Sequence, residues 1–246
     1  MRPPPDDRPA STRASRRLAL AATLALAAGC ASRAPATDWV RLPIDVPAPL
    51  AGTLADAADR SVAKAAVWQL VLPIELPGHL DRDAVIAARD PSGLTALTGA
   101  RWAEPLRDAV PRVLRSDLAR LLDAEVWTVP LPPGVVPTRQ IRVTIDALDA
   151  MPDGRRAELR ARWSIADPHG ASAPFTGTSM IVVAAPPADG LPGPSGEAPD
   201  DAGGGQADAP RVSRARALAA AYREALARLA LRIALGTREA AGRTGR

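Results

Sequence analysis

Two stretches decide the fold of this 246-residue chain: Ile141-Arg142-Val143-Thr144-Ile145-Asp146-Ala147, and Ala157-Glu158-Leu159-Arg160-Ala161-Arg162-Trp163-Ser164-Ile165. In both, apolar and polar residues alternate with period two. Ile141, Val143, Ile145 and Ala147 point one way and Arg142, Thr144 and Asp146 the other. Ala157, Leu159, Ala161, Trp163 and Ile165 repeat the pattern against Glu158, Arg160, Arg162 and Ser164. Successive side chains of a strand leave on opposite faces, so this is an antiparallel pair with one face on a core and one in water. Pro152-Asp153-Gly154 supplies the turn between them.

Outward from this pair, a second turn, Asp167-Pro168-His169-Gly170, leads into a further strand over Phe175 to Ala184. Upstream, Ala66 to Leu76 is almost continuously apolar and of strand length, as in a strand buried on both faces, with Pro73 marking an end or an edge. Val85–Arg89 and Leu94–Leu97 flank Asp90-Pro91-Ser92-Gly93 and read as a small hairpin. Trp39 to Leu42 and Val126 to Val129 are short strand candidates. Residues 43 to 65, rich in Pro, Ala and Asp, read as a loop with one helical turn around Leu54 to Ala58.

Two helices complete the pattern. The spacing of Trp102, Leu106, Val110, Val113, Leu114, Leu118 and Leu121 predicts a helix over 101–123, with Glu104 in its first turn and a kink at the interior Pro111. Leu218, Tyr222, Ala225, Leu226, Leu229 and Ile233 make the stripe of a second helix. Ser213 is its expected N-cap, Glu224 and Arg228 a surface pair, and Gly236 its expected C-cap. The fold class is therefore α/β: a single domain, a mixed β-sheet with two main helices packed on it.

The only cysteine, Cys30, ends the run Leu24-Ala25-Leu26-Ala27-Ala28-Gly29-Cys30. Arg13, Arg16 and Arg17 precede an uncharged stretch from Leu18 to Ala28. This order is that of an export signal, and the run is shorter than the ~20 residues of a membrane span. The small-small-Cys ending resembles the lipobox of bacterial lipoproteins, in which the cysteine takes a diacylglycerol on sulfur and an acyl chain on its new amino terminus. The usual Leu or Val three residues before the cysteine is replaced by Ala27. An ordinary secretory signal with a chance cysteine is the alternative. Residues 1–29 are expected to be the signal peptide, 30–38 a lipidated tether, 39–236 the domain and 237–246 a tail. Within the domain, 186–210 holds six Pro, six Gly and five acids with no Lys or Arg, and is expected to be a disordered insertion.

The formal charge of +4 resides mostly in the leader, so the mature chain is nearly neutral and carries no basic block interleaved with aromatics. That argues against a nucleic-acid binder. No G-x-S-x-G elbow and no paired-histidine spacing is present. His79 and His169 both sit beside turn glycines, and Gly203-Gly204-Gly205 lacks the lysine of a phosphate loop. No catalytic residue, metal or cofactor is expected beyond the covalent lipid on Cys30.

Leu76-Pro77-Gly78-His79-Leu80-Asp81-Arg82 and Arg101-Trp102-Ala103-Glu104-Pro105-Leu106, in that order and followed by paired strands and an Ala-rich final helix, resemble the PqiC-type ABC-transport auxiliary lipoproteins. His79 stands where the family has Tyr, and 186–210 is an insertion. The resemblance implies a non-catalytic lipoprotein at the outer membrane, facing the periplasm and held by its lipid anchor. It implies work with an MCE-domain protein and an inner-membrane transport component in moving lipid between membranes, with assembly into a homo-oligomeric ring as one possibility. Leu80, Asp81, Arg82, Trp102 and Glu104 are the partner-contact candidates; Trp102 and Leu80 also fit the core, and Asp81 and Arg82 a mutual pair or the cap of an element. Two other readings stay open: a lipoprotein that binds cell wall or another envelope protein, and a lipid-tethered enzyme.

Overall fold

The computed structural model describes residues 37–45, 47, 66–90, 92–170, 173–186 and 209–244, with side chains of the last helix over 211–240. Cys30, the turn expected at 54–58 and residues 187–208 of the expected insertion lie outside these. The described residues form eight strands and two long helices: β1 Asp38–Val40, β2 Trp68–Leu70, β3 Ala84–Ala88, β4 Leu94–Trp102, α1 Leu106–Leu122, β5 Val126–Trp127, β6 Arg139–Ala150, β7 Arg156–Ala166, β8 Phe175–Ala184 and α2 Ala209–Thr244. A 3-10 turn, Gly78–Leu80, lies between β2 and β3.

The strand pair read from alternation is β6–β7, in register from Gln140↔Ala166 to Ala150↔Ala157. One bulge, between Ile145 and Ala147, shifts the phase, so Ala147 and Leu148 are both buried. The turn is built as its residues require. Gly154 has φ +65, which suits glycine, and the Asp153 carboxylate accepts from the backbone N–H groups of Arg155 and Arg156. A five-stranded sheet in the order β5-β2-β6-β7-β8 grows around this pair, parallel on one side and antiparallel on the other. Strand β2 is buried at all three positions, as its apolar run predicts; it is shorter than that run, which still bonds β6 through the Val71 N–H to the Ile141 carbonyl and at the Glu75–Thr144 bridge. A second sheet, β1-β4-β3, is smaller.

Ile141, Val143, Ile145, Leu159, Ala161, Trp163, Ile181 and Val183 face the helices. Helix α2 lies on this face and packs on α1. Small residues allow the close approach: Ala215, Ala221, Ala225, Ala227 and Ala230 are fully buried beside Leu226, Leu229 and Ile233. Gly236 and Gly177 make room for Trp163, whose ring would lie 2.4 and 2.2 Å from a Cβ at those positions.

Three helix boundaries differ from the sequence reading. The first helix begins at Leu106, capped by Pro105, and Arg101 and Trp102 belong to β4. The cause is pairing: Trp102 N–H donates to the Asp83 carbonyl (2.6 Å), and Ala103 N–H to Val40 (2.7 Å). Trp102 mimicked a helical stripe because it faces the same core. Glu104 consequently precedes the helix. Pro111 lies inside α1 and is buried. Helix α2 starts at Ala209, ahead of Ser213, and runs through Gly236 to Thr244. Packing of Gly236 on Trp163 and Phe175 keeps the glycine within the helix rather than at its end.

Candidate partner-binding surface

The motifs Leu76–Arg82 and Arg101–Leu106 are far apart in sequence and meet in space. Leu80 is 4% exposed and Trp102 is 4% exposed; both are core residues, and the Trp102 ring stacks on Tyr222 with centroids 6.1 Å apart. Burial pushes the Tyr222 phenol far above its usual range, so it stays neutral and hydrogen-bonds the backbone of Ala150. Surface ion pairs flank this core: two join the region of Leu76–Arg82 to that of Arg101–Leu106, and a third lies within the second region. Asp81 Oδ1 meets Arg107 Nη1 at 2.5 Å, Asp83 Oδ2 meets Arg101 Nη1 at 2.6 Å, and Glu104 pairs with Arg112. Asp81 thus pairs with a helix residue and not with its neighbour Arg82, which is exposed and has no charged partner among the described residues. Exposed pairs contribute about 0–1 kcal/mol each, so they set register more than stability. Of the five contact candidates, Asp81, Arg82 and Glu104 present charge at the surface. His79 Nε2 lies 2.5 Å from Asp149 Oδ1, joining the turn to the end of β6.

One charged contact lies in the core. The Arg223 guanidinium of α2, 2% exposed, forks onto Asp117 of α1, 0% exposed, with both N–O distances 2.7 Å. Its remaining donors go to the carbonyls of Asp45 (2.9 Å) and Ile44 (3.1 Å). Burial holds the Asp117 carboxyl above its usual range, against the lowering effect of Arg223. The segment after β1 is thereby clamped to both helices. The sequence reading missed this pair. Its signal was Asp117 standing inside the apolar stripe of Val113, Leu114, Leu118 and Leu121.

The face of the five-stranded sheet turned away from the helices carries an open groove of about 560 Å³ over β6, β7 and β8. Arg142, Thr144, Ser164, Thr176 and Thr178 line it. Arg162 lines it too and is held by a bidentate contact to Asp146 (3.0 and 2.8 Å), which lowers the Asp146 pKa and raises that of Arg162. Arg142 is exposed and has no such partner among the described residues. The alternation that buries one face leaves this one lined by polar side chains. Among the described residues no group of three or more His, Cys, Asp or Glu is placed to hold a metal ion, and no helix is long and apolar enough to cross a membrane.

A family model described as the ABC-type transport auxiliary lipoprotein component matches residues 50–191. No curated protein matches the chain. Among solved structures, a protein from Xanthomonas campestris matches at a TM-score of 0.52 and 13% identity, over 84% of this chain and 99% of its own. A crystal structure of an uncharacterised protein matches at a TM-score of 0.50 and 13% identity, over 80% and 99%. At that identity these two show a shared fold.

Proposed function

From a chain that belongs to the family of ABC-type transport auxiliary lipoprotein components, we propose a non-catalytic lipoprotein subunit of an MCE-type system that moves lipid between the membranes of the cell envelope. The family match carries this reading, since it spans both motif segments. In it, Cys30 bears diacylglycerol and an N-acyl chain and holds the protein at the outer membrane, facing the periplasm. One acyl chain gives marginal membrane binding, and two or more give stable anchoring, at about 0.8 kcal/mol per buried CH₂. The domain then docks an MCE-domain protein that reaches toward an inner-membrane component. The surface charges of Asp81, Arg82 and Glu104, and the polar sheet face, are the surfaces offered to it.

Crosslinking in intact cells, purification from the membrane fraction and mass spectrometry test this. Recovery of an MCE-domain protein at high yield, weakened by Cys30→Ser, is the expected result. Recovery of wall-associated proteins alone would sink the transport reading and leave that of a structural envelope lipoprotein.

A further inference from the structure

The two edges of the five-stranded sheet are treated differently. Strand β5 is two residues long and is followed by Pro130, Pro132 and Pro133, which cannot extend a ladder. Strand β8, Phe175-Thr176-Gly177-Thr178-Ser179-Met180-Ile181-Val182-Val183-Ala184, is ten residues long, contains no charge and no proline, and pairs on one side only among the described residues. Folded proteins blunt exposed edges with lysine, proline, bulges or short strands, because an unpaired row of N–H and C=O groups is a template for another strand. None of these devices is present in β8.

The phase of that edge can be read. Ala185 N–H donates to the Arg155 carbonyl at 2.7 Å, and the β7–β8 register runs unbroken from Arg156↔Ala184 to Ile165↔Phe175. Odd-numbered residues of β8 therefore exchange hydrogen bonds with β7, and even-numbered residues direct N–H and C=O outward. Among these even residues Met180 is 70% exposed, more than any other large hydrophobic residue of the described chain, and Val182 is 37% exposed.

We infer that β8 pairs antiparallel with β8 of a second copy of this chain, about a two-fold axis at Met180. This register obeys the hydrogen-bond phase. It sets Met180 against its own mate, Thr178 against Val182 and Thr176 against Ala184, and it covers the two exposed apolar side chains. Charge selects it over the two neighbouring registers, in which Met180 faces Thr178 or Val182. With the axis at Met180, two symmetry-related rows, through Thr178 and Val182, have Arg162 on β7 of one copy and Glu158 on β7 of the other, and one central row has Arg160 on both. The register with Thr178 against Met180 has two rows of Arg162 with Arg160 and none of opposite charge, and the register with Met180 against Val182 offsets two rows of Arg160 with Glu158 by two of Arg162 with Arg156. A two-fold contact of this kind is self-complementary and closes, joining the two sheets into one. It stands independently of the lipid-transport reading.

The test uses the full-length lipoprotein in intact cells, where Cys30 is the only native cysteine. Met180→Cys places two thiols on residues whose Cα atoms are about 5.5 Å apart in a hydrogen-bonded pair, within reach of a short thiol-to-thiol crosslinker. Thr178→Cys alone places them roughly 14 Å apart along the strand, beyond it. A dimer band from Met180→Cys, at least tenfold stronger than from Thr178→Cys, is expected. Co-expressed Thr178→Cys and Val182→Cys chains should restore it. Because all three side chains are exposed, the substitutions leave the fold intact, and an unchanged thermal midpoint checks this. No dimer band from folded Met180→Cys, equal bands from both single variants, or a conjugate of another mass would each overturn the inference, the last by showing a different occupant on the edge.

Discussion

Removing the Arg223 guanidinium separates the cost of a buried charge from the cost of lost packing. In Arg223→Met the apolar stem survives, but Asp117 loses both 2.7 Å contacts, and the carbonyls of Ile44 and Asp45 lose their donor. Breaking a buried pair by removing one partner costs about 3–5 kcal/mol, because the other charge is left without compensation. Arg120 remains 3.4 Å from Asp117, with its side chain half exposed, and offers weak compensation. The expected loss is thus near the lower end, about 3 kcal/mol. In a domain of this size that is a fall in Tm of about 6–12 °C. The pH dependence supplies a second readout. Burial already raises the Asp117 pKa, and without Arg223 it rises further. A raised carboxyl pKa means that the folded state binds the proton more readily. Stability of the variant should therefore climb as pH falls from 7 toward the usual carboxylate range, where the proton is taken up. Asp117→Leu/Arg223→Met, which removes both charges, should recover most of the loss. Urea unfolding of the three proteins at pH 7 and pH 5 measures all of this. A cost below about 1 kcal/mol for Arg223→Met, no gain on acidification, or a double variant as unstable as the single one would refute the buried-charge account.

Other consequences follow from contacts already described. Gly177→Ala drives a methyl into the Trp163 ring and should cost about 1–3 kcal/mol in urea unfolding, with Trp163→Leu in the same chain recovering part of it. Trp102→Ala removes a core ring stacked on Tyr222 and should cost about 3–5 kcal/mol, whereas Asp81→Ala, which breaks only an exposed pair, should shift unfolding by less than about 1 kcal/mol. The backbone N–H of Arg155, then the side chain of Arg156, hold the Asp153 carboxyl below its usual range, and Arg162 does the same for Asp146. Stability from these groups is present above the ordinary carboxylate pKa and is lost as pH falls through the lowered values, so Asp153→Asn should flatten the acid limb of a stability–pH profile measured by thermal unfolding.

The strand pair, its turn and the stripe of α2 were legible because each is a local pattern: period two, a Pro-Asp-Gly turn, and a recurrence every three or four residues. The start of α1 was misread at Arg101 because Trp102 satisfies helical spacing while its backbone is bound to Asp83 across the sheet. Ser213 and Gly236 are good cap residues in isolation, yet packing on Trp163 and Phe175 holds Gly236 within the helix. The contact candidates divide in the same way. Leu80 and Trp102 were already marked as core types by their apolarity. The pairing of Asp81 with Arg107 depends on how the two motif segments are folded together, and that of Glu104 with Arg112 on where α1 begins.

By itself the sequence determined the α/β class, the alternating pair at its centre, the two helices and the motifs that mark the family, because these rest on side-chain periodicity and short-range backbone chemistry. Only the tertiary structure decided that Asp117 meets Arg223, that ion pairs join the two motif regions, and that β8, uncharged along its length, lies at a sheet edge. Those facts depend on which distant segments pair, and the free energy of such pairing comes from burying surfaces that no local window of sequence contains.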